Sequence, residues 1–165
     1  MGTVFRAVTV AKKQLDELDR KILDGLAQDA RISNRKIAAD LGITEGTVRS
    51  RIKRMESEGQ VRITAMTNIA RLRNPTLAYI WVEVERSAQC DDVAEQLAAV
   101  PEIGFVGKML GRSDILAITL VRDNAELAHF LHSKITGLPG VRRTECSLGV
   151  NFVKHDYRMS RIVDG

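Results

Sequence analysis

Residues 33–59, SNRKIAADLGITEGTVRSRIKRMESEG, read as two short helices joined by one tight turn. Ser33 can cap the first, whose inward side is Ile37, Ala38 and Leu41, and Gly42 can close it in the left-handed conformation. Thr44 then caps a second helix with Val48, Ile52 and Met55 at i, i+4 and i+7, ending at Gly59. With those three turned inward, Glu45, Arg49, Ser50 and Lys53 point outward, flanked by Thr47 and Arg54. A helix, a glycine turn and a basic helix with hydrogen-bonding side chains is how a helix-turn-helix addresses the DNA major groove. Double-stranded DNA is therefore the first partner to expect.

Upstream, LDELDRKILDGLAQD places Leu15, Leu18, Ile22 and Leu26 on one helical stripe, with Asp16 as its cap. Three helices between about 16 and 58 would enclose Leu18, Ile22, Leu26, Ile37, Leu41, Val48, Ile52 and Met55. Residues 60–67, QVRITAMT, alternate like a strand, as a wing or for pairing with a partner. Residues 68–76, NIARLRNPT, read as a linker. Residues 1–13 form an extension in which Val4, Phe5, Val8 and Val10 are patterned like a strand. The organisation expected is thus extension 1–13, DNA-binding domain 14–67, linker 68–76 and second domain 77–165.

The second domain repeats itself. Strand-like 77–85, helical 91–100 and strand-like 103–110 are followed, after Gly111, by strand 115–121, a helix from about 124 to 136 and a strand at about 141–153. Each helix enters its next strand by the same device, Val100-Pro101-Glu102-Ile103 and Leu138-Pro139-Gly140-Val141. The order β-α-β-β-α-β with right-handed crossovers gives a ferredoxin-like, four-stranded antiparallel sheet with both helices on one face. The fold class is α+β, a helix-turn-helix domain followed by that sheet domain. Ala78, Ile80, Val82 and Val84 should meet the helices, which turns Leu77, Tyr79 and Trp81 to the bare face. Strand 115–121 is apolar on both sides, and strands apolar on both faces are covered on both. A homodimer joined sheet face to sheet face follows, its expected interface Leu77, Tyr79 and Trp81 with Ile115 and Ala117. Covering Tyr79 and Trp81 alone would remove on the order of 300–400 Å² from water. Two-fold symmetry would present two DNA helices to a palindromic site.

The chain has 165 residues, 28% charged and 44% hydrophobic, an ordinary globular composition. Its net charge of +4 is unevenly shared: residues 1–76 hold 15 Lys/Arg against 9 Asp/Glu, and residues 77–165 hold 10 against 12. A basic front and a mildly acidic back suit a polyanion-binding module joined to one that does not touch the polyanion. No apolar run approaches a membrane span, so no membrane partner is expected. The start, MGTVFRAVTVAKK, lacks the pattern of a secretion signal, and Cys90 and Cys146 read as reduced thiols of a cytoplasmic protein.

Four stretches together resemble the feast/famine regulators, the Lrp/AsnC family of leucine-responsive and asparagine-responsive transcription factors. They are LDELDRKILDGLAQDARIS, IAADLGITEGTVRSRIKRMESEG, MLGRSDILAITLV and LPGVRRTECSLGVNFVKH, and the likeness runs from about Leu15 to Val163. The resemblance implies a dimeric transcription regulator whose second half binds a small molecule, typically an amino acid. It also implies further assembly, into tetramers or octamers, with the effector lodged between dimers. The matching loop is Gly111-Arg112-Ser113-Asp114. There glycine permits backbone approach, exposed amides can meet a carboxylate and Asp114 can pair with an ammonium. The resemblance draws the facing wall from Ser147, Leu148 and Gly149. The linker departs from the family's Asn-Pro-x-x-Leu-Gly wording, with Asn74-Pro75 and Leu77 as a displaced remnant of it.

On the DNA side, Arg49 and Ser50 are expected at base edges. Arg51, Lys53, Arg54, Arg31, Asn34 and Arg35 are expected at phosphates, with the caps Ser33 and Thr44 and the flanking Thr47 completing the face. Glu45 either accepts from cytosine N4 or repels phosphates. Asp114 has two readings as well, an effector contact or a turn aspartate satisfying nearby amides. His129 and His132 stand i, i+3 with Glu126 a turn back, a spacing more often a polar helix face than a metal site, so no metal or cofactor is expected. No paired nucleophile and base is placed by any motif, which argues against an enzyme. The rival to an effector-responsive regulator is a DNA-compacting architectural protein that uses the same basic helix without an effector.

Overall fold

The computed structural model describes residues 15–65, 67–72, 76–150 and 153. The strand-like extension at 1–13 and the last residues of the expected closing strand lie outside or at the margin of these. Backbone contacts divide the chain into two units between residues 66 and 67.

The first unit holds α1 (Glu17–Gln28), α2 (Asn34–Leu41) and α3 (Glu45–Ser57). Each helix starts where a side chain can take up an orphan amide. Asp16 accepts from Asp19 N–H at 2.8 Å, and Asp19 Oδ2 accepts from Asp16 N–H at 3.2 Å, a reciprocal capping box. Ser33 Oγ accepts from Lys36 N–H and Thr44 Oγ1 from Thr47 N–H. Gly42 closes α2 at φ 66°, a left-handed conformation that costs any residue with a Cβ. Ile22, Ile37, Ala38, Val48, Ile52 and Met55 form the buried core, with Leu18, Leu26 and Leu41 packed against it. The expected core is the observed one.

A feature of this unit that periodicity did not disclose is a buried carboxylate. Asp19 is fully buried, and it receives Arg51 Nη1 at 2.8 Å and Arg54 Nη2, both from α3. Arg51 also reaches Asp16 at 2.5 Å. The pairing ties the first turn of α1 to the middle of α3. Residues 60–65 do not form the expected strand. A strand needs a neighbour to take its N–H and C=O groups, and the described residues of the chain supply none.

The second unit runs β1 (Thr76–Val84), α4 (Cys90–Ala98), β2 (Ile103–Lys108), β3 (Ile115–Val121), α5 (Asn124–Phe130) and β4 (Val141–Gly149). All sheet pairings are antiparallel, in the order β2-β3-β1-β4, as the β-α-β-β-α-β reading requires. The helix at 124–136 appears in two parts, because its last turn, Leu131–Ile135, widens to a π turn closed by Thr136 N–H on Leu131 C=O at 2.9 Å. Both proline devices close by the same i to i+3 bond, Ile103 to Val100 and Val141 to Leu138. Ile80, Val82, Val84, Ile115 and Ala117 pack against Val93 and Leu97 of α4, and against Phe130 and Ile135. A bulge between Ile103 and Phe105 lets Ile103 and Val106 both face the helices.

Burial and two guanidiniums act oppositely on Asp19; the arginines win, and its carboxyl is held below the usual value of about 3.9. A carboxylate with a depressed folded pKa contributes its full stability above the unfolded value and loses it as the pH falls through the folded one. Asp19→Asn should therefore destabilise the first unit by roughly 3 kcal/mol at neutral pH. That deficit should shrink below about pH 4, as urea unfolding followed by helical circular dichroism across pH 2.5–7 would show.

Candidate functional site

The outward face of α3 is set by its inward one. With Val48, Ile52 and Met55 buried, Glu45, Arg49, Ser50 and Lys53 are left exposed along one side. Arg49, with 70% of its side chain exposed, donates to Glu45 at 2.6 Å, one turn earlier on the same helix. Lys53 makes no ion pair among the described residues. Ser50 Oγ donates to Thr47 C=O at 3.0 Å, which leaves its lone pairs free to accept. Thr44 and Thr47 share a hydroxyl bond of 2.9 Å at the start of the helix. Arg31 and Arg35, before and on α2, are exposed beside the half-buried Asn34. The cap Ser33 spends its oxygen on Lys36 N–H.

Arg51 and Arg54 differ from the phosphate-contacting role expected of them. Only 27% and 26% of their side chains are exposed, and their guanidiniums sit on Asp16 and Asp19. Arg54 Nε is buried without a partner, a further sign that this side chain is directed inward. Arg51 likewise holds the Asp16 carboxyl below the ordinary range. The available cations of the helix are thus Arg49 and Lys53.

On the second unit, strand register fixes which residues share the bare face. Tyr79 stands between Ile118 and Ser147 and Trp81 between Leu116 and Glu145; Leu77, between Leu120 and Gly149, is already buried within the chain, which corrects its expected place at an open interface. Ile115 and Ala117 are not among them. Both are fully buried on the helix side, so their expected place in an interface is corrected to the core. Their places on the bare face are taken by Leu116 and Ile118. Phe105, paired with Ile118, was missed altogether; its ring lies over Gly107, where a Cβ would stand 3.0 Å from the ring carbons. Tyr79 and Trp81 are already largely covered by neighbours, so they offer no more than about a third of the area expected from whole aromatic rings. Phe105 at 50% exposure and Leu120 at 43% make up much of the difference.

The loop Gly111-Arg112-Ser113-Asp114 joins β2 to β3. Gly111 has φ 148°, a conformation in which a side chain would be strained. Asp114 N–H donates to Val82 C=O, and Asp114 Oδ2 accepts from Val84 N–H at 2.8 Å. The carboxylate therefore adds one rung to the β1–β3 ladder, the turn role that was one of its two readings. Arg112 donates to Glu145 at 3.2 Å, and the same carboxylate oxygen takes Arg143 at 2.6 Å. Ser147, Leu148 and Gly149 lie opposite Tyr79, Ala78 and Leu77. They stand four to six residues along β1 from the level of the loop, roughly 13–20 Å at 3.3 Å per residue. Within one chain the loop and the trio do not meet.

Glu126, the carboxylate beside His129 and His132, is committed to Arg122 through the backbone N–H at 2.6 Å and the guanidinium at 3.1 Å. Cys90 and Cys146 are free thiols; partial burial pushes the Cys90 thiol above its ordinary pKa, which makes it a poor nucleophile at neutral pH, and Cys146 is exposed. No helix among the described residues is long and apolar enough to cross a membrane.

Comparison with known proteins joins these two sites. Residues 15–56 match the AsnC-type helix-turn-helix domain, and residues 72–162 match an AsnC-type C-terminal dimeric alpha+beta barrel domain. An uncharacterized HTH-type transcriptional regulator of Pyrococcus abyssi is 35% identical over 155 residues, covering 93% of this chain and 98% of its own. The fold is similar to that of E. coli AsnC, with a TM-score of 0.73 at 20% identity over 87% of this chain and 97% of that one. It is also similar to a feast or famine regulatory protein from M. tuberculosis complexed with L-methionine, with a TM-score of 0.72 at 23% identity over 88% and 98%. The family and these relatives are transcription regulators rather than enzymes. A trihelical unit with an exposed basic helix, continued by a ferredoxin-like sheet and matched over both halves, makes this chain a member of the AsnC (Lrp/AsnC) family of helix-turn-helix transcriptional regulators.

Proposed function

We propose that the chain is a sequence-specific DNA-binding regulator that acts in the cytoplasm as a homodimer, assembling further into a tetramer or octamer, and responds to an amino acid. The observation that carries the reading is the outward face of α3. Arg49, Ser50 and Lys53 stand exposed on a helix whose other side is buried in a core. Arg49 and Ser50 address base edges, and Lys53, Arg31 and Arg35 address phosphates. Glu45 holds the Arg49 guanidinium in the free protein and is released when a base edge takes its place.

Dimerisation is supported by the bare sheet face, where Tyr79, Trp81, Phe105, Leu116, Ile118 and Leu120 stand without cover from the chain's own helices. A second copy of the face covers them, and two-fold symmetry then pairs the DNA helices for a palindromic site. For the effector, the L-methionine complex of the M. tuberculosis relative supports a small zwitterion. The separation of loop and trio within one chain favours a site assembled from two. The ammonium goes to the free oxygen of Asp114 and the carboxylate to the loop amides and Arg112. Ligand bound there biases the assembly, and hence the spacing of the DNA helices, by its differential affinity for the two arrangements.

Three measurements test this reading. Binding to DNA upstream of the chain's own gene should fall steeply with salt, and Arg49→Ala should weaken it by about 1–3 kcal/mol; unchanged affinity in Arg49→Ala/Lys53→Ala would remove the recognition helix. In light scattering, Trp81→Glu should halve the mass of the smallest assembly. Ile115→Ala should instead keep that mass and lower thermal stability by roughly 3 kcal/mol, a cavity cost. A thermal-shift screen of the standard amino acids should raise Tm with one or a few, and Asp114→Ala should lose that response. Equal affinity for all duplexes together with a silent screen would point to an architectural protein instead.

A further inference from the structure

Asp19 is a fully buried carboxylate on α1, and both of its guanidinium partners come from α3, the helix proposed to enter the major groove. We infer that Asp19 is a positioning residue for DNA recognition: through Arg51 and Arg54 it sets the roll of α3 about its own axis and withholds two of that helix's cations from phosphate. The inference rests on the DNA-binding reading above.

The apolar core alone cannot fix that roll well. Val48, Ile52 and Met55 are held by non-directional burial, which tolerates small rotations at little cost. Charge-assisted hydrogen bonds are directional and short. Arg51 and Arg54 are three residues apart, so they engage Asp19 from successive turns of α3, and two anchors displaced along a helix restrain its rotation where one would not. The Asp19 carboxylate also accepts from Asp16 N–H, while Asp19 N–H donates to the Asp16 carboxylate, which adds a second acceptor for Arg51. The lever is long enough to matter. A roll of about 20° moves a side-chain head about 6 Å from the helix axis by roughly 2 Å. A hydrogen bond to a base edge survives a few tenths of an ångström.

The same contacts divide the charge of the helix. Of its four cations, Arg49, Arg51, Lys53 and Arg54, two are turned inward. The interface is left with fewer sequence-blind phosphate contacts, and a larger share of binding falls to Arg49 and Ser50. Asp19 thus favours specific over general affinity although it touches no DNA.

The test uses the full chain at 4 °C with two labelled duplexes of equal length, one selected by the parent protein from a random pool and one of random sequence. Asp19→Asn should lower the preference for the selected duplex at least tenfold. Its affinity for the random duplex should stay equal or rise, with a salt slope steeper by up to ~0.9 for each guanidinium released. A residue needed only for stability would weaken both duplexes in proportion and leave the preference unchanged. Arg51→Lys and Arg54→Lys keep the charge but lose the fork, and should each lower the preference part-way while Tm stays near the parent's. Parental preference in Asp19→Asn and in both lysine variants would overturn the inference. If Asp19→Asn does not fold, the two lysine variants decide alone. A parent that binds neither duplex, or an Arg49→Ala that binds like the parent, would instead bring down the DNA reading and this inference with it.

Discussion

A carboxylate sealed from water must be met by positive charge or lose its own, and Asp19 is met by two guanidiniums. Because both arise from α3, the demand of one buried group on α1 decides how the surface of another helix is shared out. Val48, Ile52 and Met55 take the inner stripe, Arg51 and Arg54 the seam, and Arg49, Ser50 and Lys53 the outside. The caps then cut the helices to length. Asp16, Ser33 and Thr44 each satisfy an amide that the first turn would leave orphaned, and Gly42 turns the chain from α2 toward α3. Electrostatics on the inside of this small unit thereby sets what it can show on the outside.

The second unit obeys a different constraint. β1 and β3 are apolar on both faces, and α4 and α5 cover only one. Core packing on the covered face is tight, with Ile80, Val82, Ile115 and Ala117 fully buried. The other face is a shallow aromatic and aliphatic surface edged by Glu83, Arg142, Arg143, Glu145 and Arg112, which are paired among themselves. Apolar centre and charged rim is the anatomy of a surface that meets another protein. The pairings of the rim also place Arg112 of the β2–β3 loop on β4, so loop and strand are linked through Glu145.

Much of this was legible from the sequence because it depends on residues near one another in the chain. The three caps, the left-handed Gly42, the eight core positions of the first unit and the twin proline turns are all local patterns. What escaped was non-local. The helical wheel puts Arg54 on a flank, but its partner Asp19 lies 35 residues away, and no pattern within α3 announces it. The faces of β3 could not be told apart by alternation because both are apolar; only the register Trp81 to Leu116 and Tyr79 to Ile118 turns Ile115 and Ala117 inward. Phe105 was hidden by the bulge that shifts the alternation of β2. Residues 60–65 carry a strand pattern yet form none, since alternation records a readiness to pair and not the presence of a partner. Asp114 kept two readings because a turn rung and an ammonium contact ask for the same side chain.

Among the described residues, the strand order leaves β2 and β4 at the margins of the sheet, each with a row of amides and carbonyls that could template the growth of a fibril. β2 is short and kinked, which spoils it as a template. β4 is nine residues long and free of proline, but it carries Arg142, Arg143 and Glu145 in close succession. Stacking identical copies in register would set each arginine against its like, a repulsion that grows with every added chain. Charges in such close succession on a margin strand are the kind of residue that guards against amyloid, and neutralising them would remove that repulsion from β4.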